Sequence, residues 1–511
     1  MALNLSGTSG ITGAGIGTIG PSGANVTGVV TCTSVVSSGA ISGTTGSFTG
    51  DLTLTAGSLL VSADNTDAIK LGASADLLLY HDGSNSKIKN VNTGRLHIEN
   101  AAGVIRTNTD SGFYIQSADG NTEHARVDSS GANIAGVCTA KTFVPTEGQL
   151  SNRNIIINGA MQVAQRGTTS GTEGYSTIDR FSNEEGSCDE VPTQSQHALT
   201  SSDTGPWAEG FRHSFHIQNG NQTSGAQAAN FIKLTYQVEA QDMAQSGWNY
   251  TSTSSYITLS FWVKSSVAQN FYGRLTTHDG TAQNYPFETG SLSANTWTKI
   301  TKTIPGNANI SINNDNGAGL GVEWMTYRGG NTTSSGVALD TWAAYASGTR
   351  TPDQTSTWFT TNDATFEVTG VQLEVGSAAT PFEHRGYGEE LARCQRYYYL
   401  HGPNDNSITY SIVGTGMIGQ NASTTTAKIL VYLPVVMRTT PSVSVDVGSN
   451  QFKNDAGGTT ADSTFGAIWS DASHSQAVWC DFAGGSSSNG TATMVYKRGS
   501  GGGILGFSAE F

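Results

Sequence analysis

The chain has 511 residues, of which glycine, serine and threonine number 63, 57 and 64, while charged residues are only 13% and the net charge is −14. That mixture excludes a helical bundle, a coiled coil and a charge-driven disordered chain, and it favours short strands joined by many turns. No basic cluster marks a nucleic-acid footprint, and no apolar run is long enough to span a bilayer, so neither nucleic-acid binding nor membrane insertion is expected. The opening MALNLSGTSG has neither a basic nor an apolar region of a signal peptide. Cys32, Cys138, Cys188, Cys394 and Cys480 are widely spaced, odd in number and lack a CxxC pair, which fits free thiols made in a reducing compartment.

Residues 1–50 carry no Asp, Glu, Lys or Arg, and Phe48 is their one aromatic. Twelve of the fifty are glycine, without a Gly-X-Y register. Val29-Val30 and Val35-Val36 recur between the glycines, a pattern a flexible linker does not need, so an ordered shaft or attachment segment is expected. Residues 51–150 read as a repeat of short strands. Lys87-Ile88-Lys89 and Arg95–Glu99 alternate with period two, and Asp82-Gly83 after Leu77–Tyr80 marks a hairpin turn. Phe113-Tyr114-Ile115 and Ala125-Arg126-Val127 are similar short segments. Each has too few apolar residues for its own core, and a lone hairpin is marginal in water. Three chains wrapped about one axis would share a core, which predicts a homotrimeric β-fibre.

From residue 151 the composition changes, and all nine tryptophans fall between Trp207 and Trp479. Strands are expected at 231–238, 256–263, 297–300 and 365–369, separated by turn clusters, as in an all-β sandwich or jelly roll spanning 151–386. A helix is expected at Tyr387–Tyr397, with acids in its first turn and arginines in its last, acting as a connector over 387–400. A second β region follows over 401–511, expected to be a β-sandwich tip with strands near 429–433, 442–445, 492–496 and 504–511.

No GxSxG, HExxH or GxxxxGK[ST] motif occurs, so no catalytic residue, metal or cofactor is assigned. His213 and His216 lie three apart, on opposite faces of a strand, which does not make a shared metal site. Glu184-Glu185 and Asp189-Glu190 are adjacent in sequence, which does not set the facing geometry of a glycosidase. Aromatics are the better candidates, because a sugar ring stacks on an indole or phenol while Asn, Asp and Gln hold its hydroxyls. Trp262 and Trp297 read as core. Trp324, Tyr327, Trp342 and Tyr345 lie among Gly, Asn, Thr and Ser and read as loop-borne glycan-binding candidates, with inter-subunit packing the competing role. Trp469 and Trp479, near Asp471, His474 and Asp481, are candidates in the C-terminal region.

Several segments together resemble a known family. Asn154–Gly167, then Asp179-Arg180-Phe181, resemble the opening of a domain common in bacteriophage tail-fibre and receptor-binding proteins. Tyr236–Glu239 and Leu259–Ser265 look like its inner strands. Gly370–Gly376, Thr380–Arg385 and the Glu389–Tyr399 stretch resemble its close. The resemblance covers 151–400, and Tyr80–Asn85 is similar to fibre repeats in phages of marine cyanobacteria. It implies a homotrimeric adhesin of the virion, assembled in the host cytoplasm, with a carbohydrate-binding jelly roll. The N-terminal region would dock to a tail or baseplate protein, and the fibre would meet a host surface glycan or outer-membrane receptor. A polysaccharide-degrading tailspike and a capsid-decorating fibre are the alternatives.

Overall fold

The computed structural model describes residues 69–71, 77–81, 86–90, 113–116, 123–128, 131–135, 149–401, 417–447, 452–456, 459–469, 472–484, 488–497 and 503–511. The expected 1–50 shaft, the Arg95–Glu99 strand, the Asp82-Gly83 turn residues and Asp471 lie outside them. The chain divides into two units, 1–139 and 140–511.

In the first unit, β1 (Ile69–Leu71), β2 (Leu77–His81) and β3 (Ser86–Asn90) form an antiparallel sheet in which Leu79 opposes Ile88. A second sheet joins β4 (Phe113–Gln116), β5 (Glu123–Asp128) and β6 (Gly131–Ile134). Its register sets Phe113 opposite Val127 and Ala125 opposite Ile134, which gathers the apolar side chains on one face. Phe113, Ile115, Val127 and Ile134 are all exposed.

The second unit begins with an all-β sandwich. Its strands are β7 (Thr169–Ser170), β8 (Phe181–Gly186), β9 (Thr193–Ala198), β10 (His213–Gln218) and β11 (Phe231–Glu239), then β12 (Tyr256–Ser265), β13 (Asn270–Thr277), β14 (Gln283–Ser291) and β15 (Thr298–Pro305). β16 (Ala318–Arg328), β17 (Ala343–Ala344) and β18 (Thr365–Val375) complete it, with short helices α1 (Ala240–Ala244) and α2 (Thr357–Thr360). One sheet has the order β15-β12-β18-β10-β9-β7, and the other β17-β14-β13-β16-β11-β8. The chain passes repeatedly from one sheet to the other, the jelly-roll manner of burying two apolar faces against each other. Alternation dictates the core. Ile232, Leu234, Tyr236 and Val238 of β11 point inward against Ile257, Leu259, Phe261 and Val263 of β12. Trp324 packs edge-on to Phe261 at 5.6 Å.

The segment that resembles the fibre-protein opening closes this sandwich. Asn154 donates to the Val371 carbonyl at 3.0 Å and accepts from the Leu373 amide at 3.0 Å. Asn158, at φ 62°, donates to the carbonyls of Val163 and Asp179 at 2.8 and 3.0 Å. A Cβ on Gly159 would stand 2.1 Å from the Val371 oxygen, so only glycine lets the two backbones meet. Arg180 is fully buried, pairs with Glu510 and stacks 3.4 Å over the Tyr397 ring.

The expected helix is α3 (Tyr387–Gln395). It does more than connect: Cys394 and Tyr397 pack with Ile157 and Val163, and buried Glu390 accepts from the Asn158 amide. Next come β19 (Tyr398–His401), β20 (Met417–Asn421), β21 (Thr426–Tyr432) and β22 (Ser442–Val447), then β23 (Phe452–Ala456), β24 (Thr459–Ile468), β25 (Ala477–Ala483), β26 (Ala492–Lys497) and β27 (Ile504–Ser508). The expected β-sandwich tip is corrected here: six strands close as a barrel, β20-β21-β25-β24-β23-β26, beside a three-stranded sheet β19-β27-β22. Pairing β20 with β26 removes both open edges, which two stacked sheets of such short strands would leave unpaired. Arg396 holds Glu239 through two bonds of 2.7 and 2.8 Å, and Arg438 donates to the Asn316, Ala509 and Glu510 carbonyls, tying the sandwich to this C-terminal part. Among the described residues, no helix is long and apolar enough to cross a membrane, and Cys188, Cys394 and Cys480 are free thiols.

Candidate functional site

The sandwich has two outer faces, and they are finished differently. On the β12 sheet, Phe261 and Val263 face the core, so Trp262 between them must face out. Trp297 is buried as expected, whereas the expectation that Trp262 belongs to the core is corrected, since it is only half-buried. The two form a separate cluster with Phe211 and Trp207 beneath residues 199–211, which fold over the sheet. The two indoles of this cluster find carboxylate partners in the cover. Trp297 donates to Asp203 at 3.0 Å and Trp262 to Glu209 at 3.1 Å. Lys264 bridges Asp203 and Glu367 at 3.1 and 2.9 Å. Glu367 also accepts from Ser214 at 2.6 Å and contacts His197 at 3.0 Å. Burial opposes ionisation of Glu367, but the His197 and Ser214 bonds and Lys264 outweigh it and hold its carboxyl at about 2.

The other outer face is a polar trough. Cross-strand registry lines up Gln237, Gly321, Thr276 and Asn284 in one row and Ser182, Thr235, Glu323, Arg274 and Pro286 in the next. With strands about 4.8 Å apart, five of them give a furrow roughly 19 Å across. Glu323 sits at its centre. Arg274 grips it through two 2.7 Å bonds, with Lys233 at 3.2 Å and Arg328 at 3.3 Å. Burial raises the cost of its charge, yet Arg274 first, then Lys233 and Arg328, hold the carboxyl well below the usual range. The row is tightest at Gly321, where a Cβ would stand 2.9 Å from both Gln237 Oε1 and His278 Nε2, so only glycine fits beneath these two side chains. Three buried atoms of this face have no hydrogen-bond partner: Thr235 Oγ1, Gln237 Oε1 and Thr276 Oγ1. Such an atom costs about 1–3 kcal/mol when left unpaired, so three on one face set it apart from the face opposite.

The six aromatic candidates separate on the structure. Trp324 and Tyr327 lie in β16, not in a loop, and both are corrected to core positions. Trp324 is 1% exposed, and Tyr327 packs 4.6 Å from Phe359. Trp342 is also buried, 5.1 Å from the Tyr285 ring, with its indole donating to the Pro305 carbonyl at 2.7 Å. None of these three has a ring face to offer a ligand. Tyr345 is different: it is 36% exposed, caps Arg274 at 5.4 Å and Arg350 at 5.5 Å, and ends the trough. On the barrel, Trp469 and Trp479 come together at 6.5 Å, and the Lys428 ammonium lies 3.4 Å from the exposed Trp469 ring. Thr235, Gln237 and Thr276 were not among the candidates. Their signal was the polar half of the alternation Lys233-Thr235-Gln237 in β11, which in a single strand looks like an ordinary wetted face.

No family model matches the chain, and no curated protein matches it. Among solved structures, it is similar to an enzymatically active domain of bacteriophage CBA120 tailspike protein 4, at 10% identity over 44% of this chain and 21% of that chain, TM-score 0.23. It is also similar to a family 11 carbohydrate-binding module from Clostridium thermocellum, at 12% identity over 42% of this chain and 98% of the module, TM-score 0.18. A third likeness is discoidin II of Dictyostelium discoideum, at 10% identity over 61% and 89% of the two chains, TM-score 0.14. These alignments are loose, and the sandwich stands on its own strand pairing.

Proposed function

We propose that this chain is a homotrimeric bacteriophage tail-fibre protein that adheres to a host surface by binding carbohydrate, without cleaving it. The observation that carries the reading is the polar trough, with unpaired Thr235, Gln237 and Thr276 oxygens on its floor and Tyr345 at its end. Directional acceptors beside an aromatic rim suit the hydroxyls and apolar faces of a sugar. The resemblance of residues 151–400 to phage fibre domains supports the same reading. The one-sided apolar face of β4–β6 supports the trimer, since Phe113, Ile115, Val127 and Ile134 are left uncovered in a single chain. The central carboxylate, Glu323, is neutralised by three cations, which suits a binding floor and not a general acid. Residues 1–50 would dock to the tail or baseplate, and the Trp469–Trp479 pair on the barrel would offer the host a second contact. Three weak sites on one trimer, and several trimers on one virion, would multiply avidity without new contacts.

Light scattering of the full chain together with a glycan array tests this. The expected result is a mass three times the 53.3 kDa chain and retention on bacterial surface glycans. A monomer retained by no glycan would overturn the reading.

A further inference from the structure

At the β8–β11 end of the trough the floor deepens into a cleft of about 530 Å³. Its volume falls within the roughly 300–1,000 Å³ of small-molecule sites. Its lining joins Ser182, Thr235 and Gln237 with two aromatic side chains, Tyr175 and Phe511. Thr235 is 2% exposed, and its buried Oγ1 and the buried Oε1 of Gln237 have no hydrogen-bond partner, so both residues bring an unsatisfied oxygen to the cleft lining. The remaining charged lining is of one sign: Glu173, Glu184 and Glu185. None of the residues lining the cleft is a cation. Lys233 bridges Glu184 and Glu323 at 2.9 and 3.2 Å, and Arg166, 5.9 Å from the Tyr175 ring, lies 3.9 Å from Asp179 and 3.6 Å from Glu510.

This donor–acceptor inventory discriminates between ligands. The Gln237 amide and the Ser182, Thr235 and Tyr175 hydroxyls both donate and accept, whereas the three carboxylates only accept, so hydroxyl and ammonium groups find partners throughout the lining. A carboxylate or phosphate placed here would meet like charge with no guanidinium to receive it. We infer that this cleft is the primary saccharide subsite of the proposed adhesin, and that it takes an uncharged or amino sugar and excludes uronic and sialic acids. The inference rests on the carbohydrate reading. Within it, Gln237 and Thr235 fix the ring's hydroxyls, Tyr175 and Phe511 cover its apolar faces, and the glutamates set the charge class.

The test is an array of neutral, glucosamine-rich, and uronate- or sialate-bearing bacterial oligosaccharides, probed with the full-length trimer. Binding is expected to the first two classes and to be at least tenfold weaker for the acidic class. Gln237→Ala and Thr235→Val should each lower the signal tenfold or more, with an unchanged circular dichroism spectrum, while Thr235→Ser, which keeps the hydroxyl, should retain it. The double variant Glu173→Gln, Glu185→Gln should admit acidic glycans. Equal binding of acidic glycans by the unaltered protein would overturn the inference. So would saccharide binding that survives Gln237→Ala but is lost in Tyr345→Ala, which would leave the adhesin reading standing with its site elsewhere. Retention of no saccharide at all would remove both.

Discussion

The two outer faces of the sandwich are built from the same kind of antiparallel strand, yet one has its carboxylates and indoles bonded to the segment that covers it, and the other keeps buried oxygens without partners. On the covered face, Asp203 and Glu209 descend from the covering segment to meet Trp297, Trp262, Lys264 and Lys299. Its Glu367 has three side-chain partners. On the other face, Glu323 is just as well satisfied, but Thr235, Gln237 and Thr276 keep unpaired oxygens. The difference teaches where to look for function in an all-β protein: not where charges are most numerous, since both faces have them, but where acceptors are held in place with no internal partner.

That contrast can be broken from either side. The largest effect is expected from Glu323→Ala, which leaves Arg274 and Arg328 facing each other without their counter-charge and Lys233 with Glu184 alone. Loss of one partner in a buried ionic network costs about 3–5 kcal/mol, readable as a lower denaturant midpoint. Trp297→Ala should cost nearly as much, about 3 kcal/mol, by emptying the covered face, and should leave saccharide binding unchanged in the folded fraction.

A pH titration separates the faces further. Glu367 titrates at about 2 in the fold against an ordinary 4.5, so its contribution is fully present above pH 4.5 and is lost as the pH falls through about 2. The melting temperature should drop across that window, and Glu367→Gln should start lower and drop less. The smallest stability effect belongs to Gln237→Ala, within about 0.5 kcal/mol, because its oxygen gives up no internal bond. Thermal unfolding beside the glycan array checks this, and a large stability loss would mean that Gln237 is structural and that the two faces do not differ in kind.

Much of the fold was legible along the chain. The strands at 231–238 and 256–263 follow from period-two alternation, and α3 follows from acids and bases placed to suit its dipole. The errors have one physical source. Trp324 and Tyr327 sit among glycines and threonines, which reads as a loop, but the glycines at 319 and 321 lie within β16, where they let Ala240 and the Gln237 and His278 side chains pack close while Trp324 points the other way into the core. Trp262 was assigned to the core because its neighbours are apolar, although alternation alone turns it outward. The barrel was missed because closure is set by which distant strands pair, here β20 with β26, and local composition is the same for a closed barrel and two short sheets.

The sequence by itself determined that this is a β protein, where its charge-free and tryptophan-bearing stretches lie, and which strands carry an apolar side. Those properties are local, set by backbone preference and side-chain period. Only the tertiary structure decided which polar side is bonded to a covering segment and which keeps unpaired oxygens. Arg274 reaches Glu323 across 49 residues of chain, Tyr345 closes over Arg274 from a separate loop, and Phe511 meets a cleft lined by Thr235. Pairing and its absence depend on the atoms that distant segments bring into hydrogen-bonding range, and no local pattern records that.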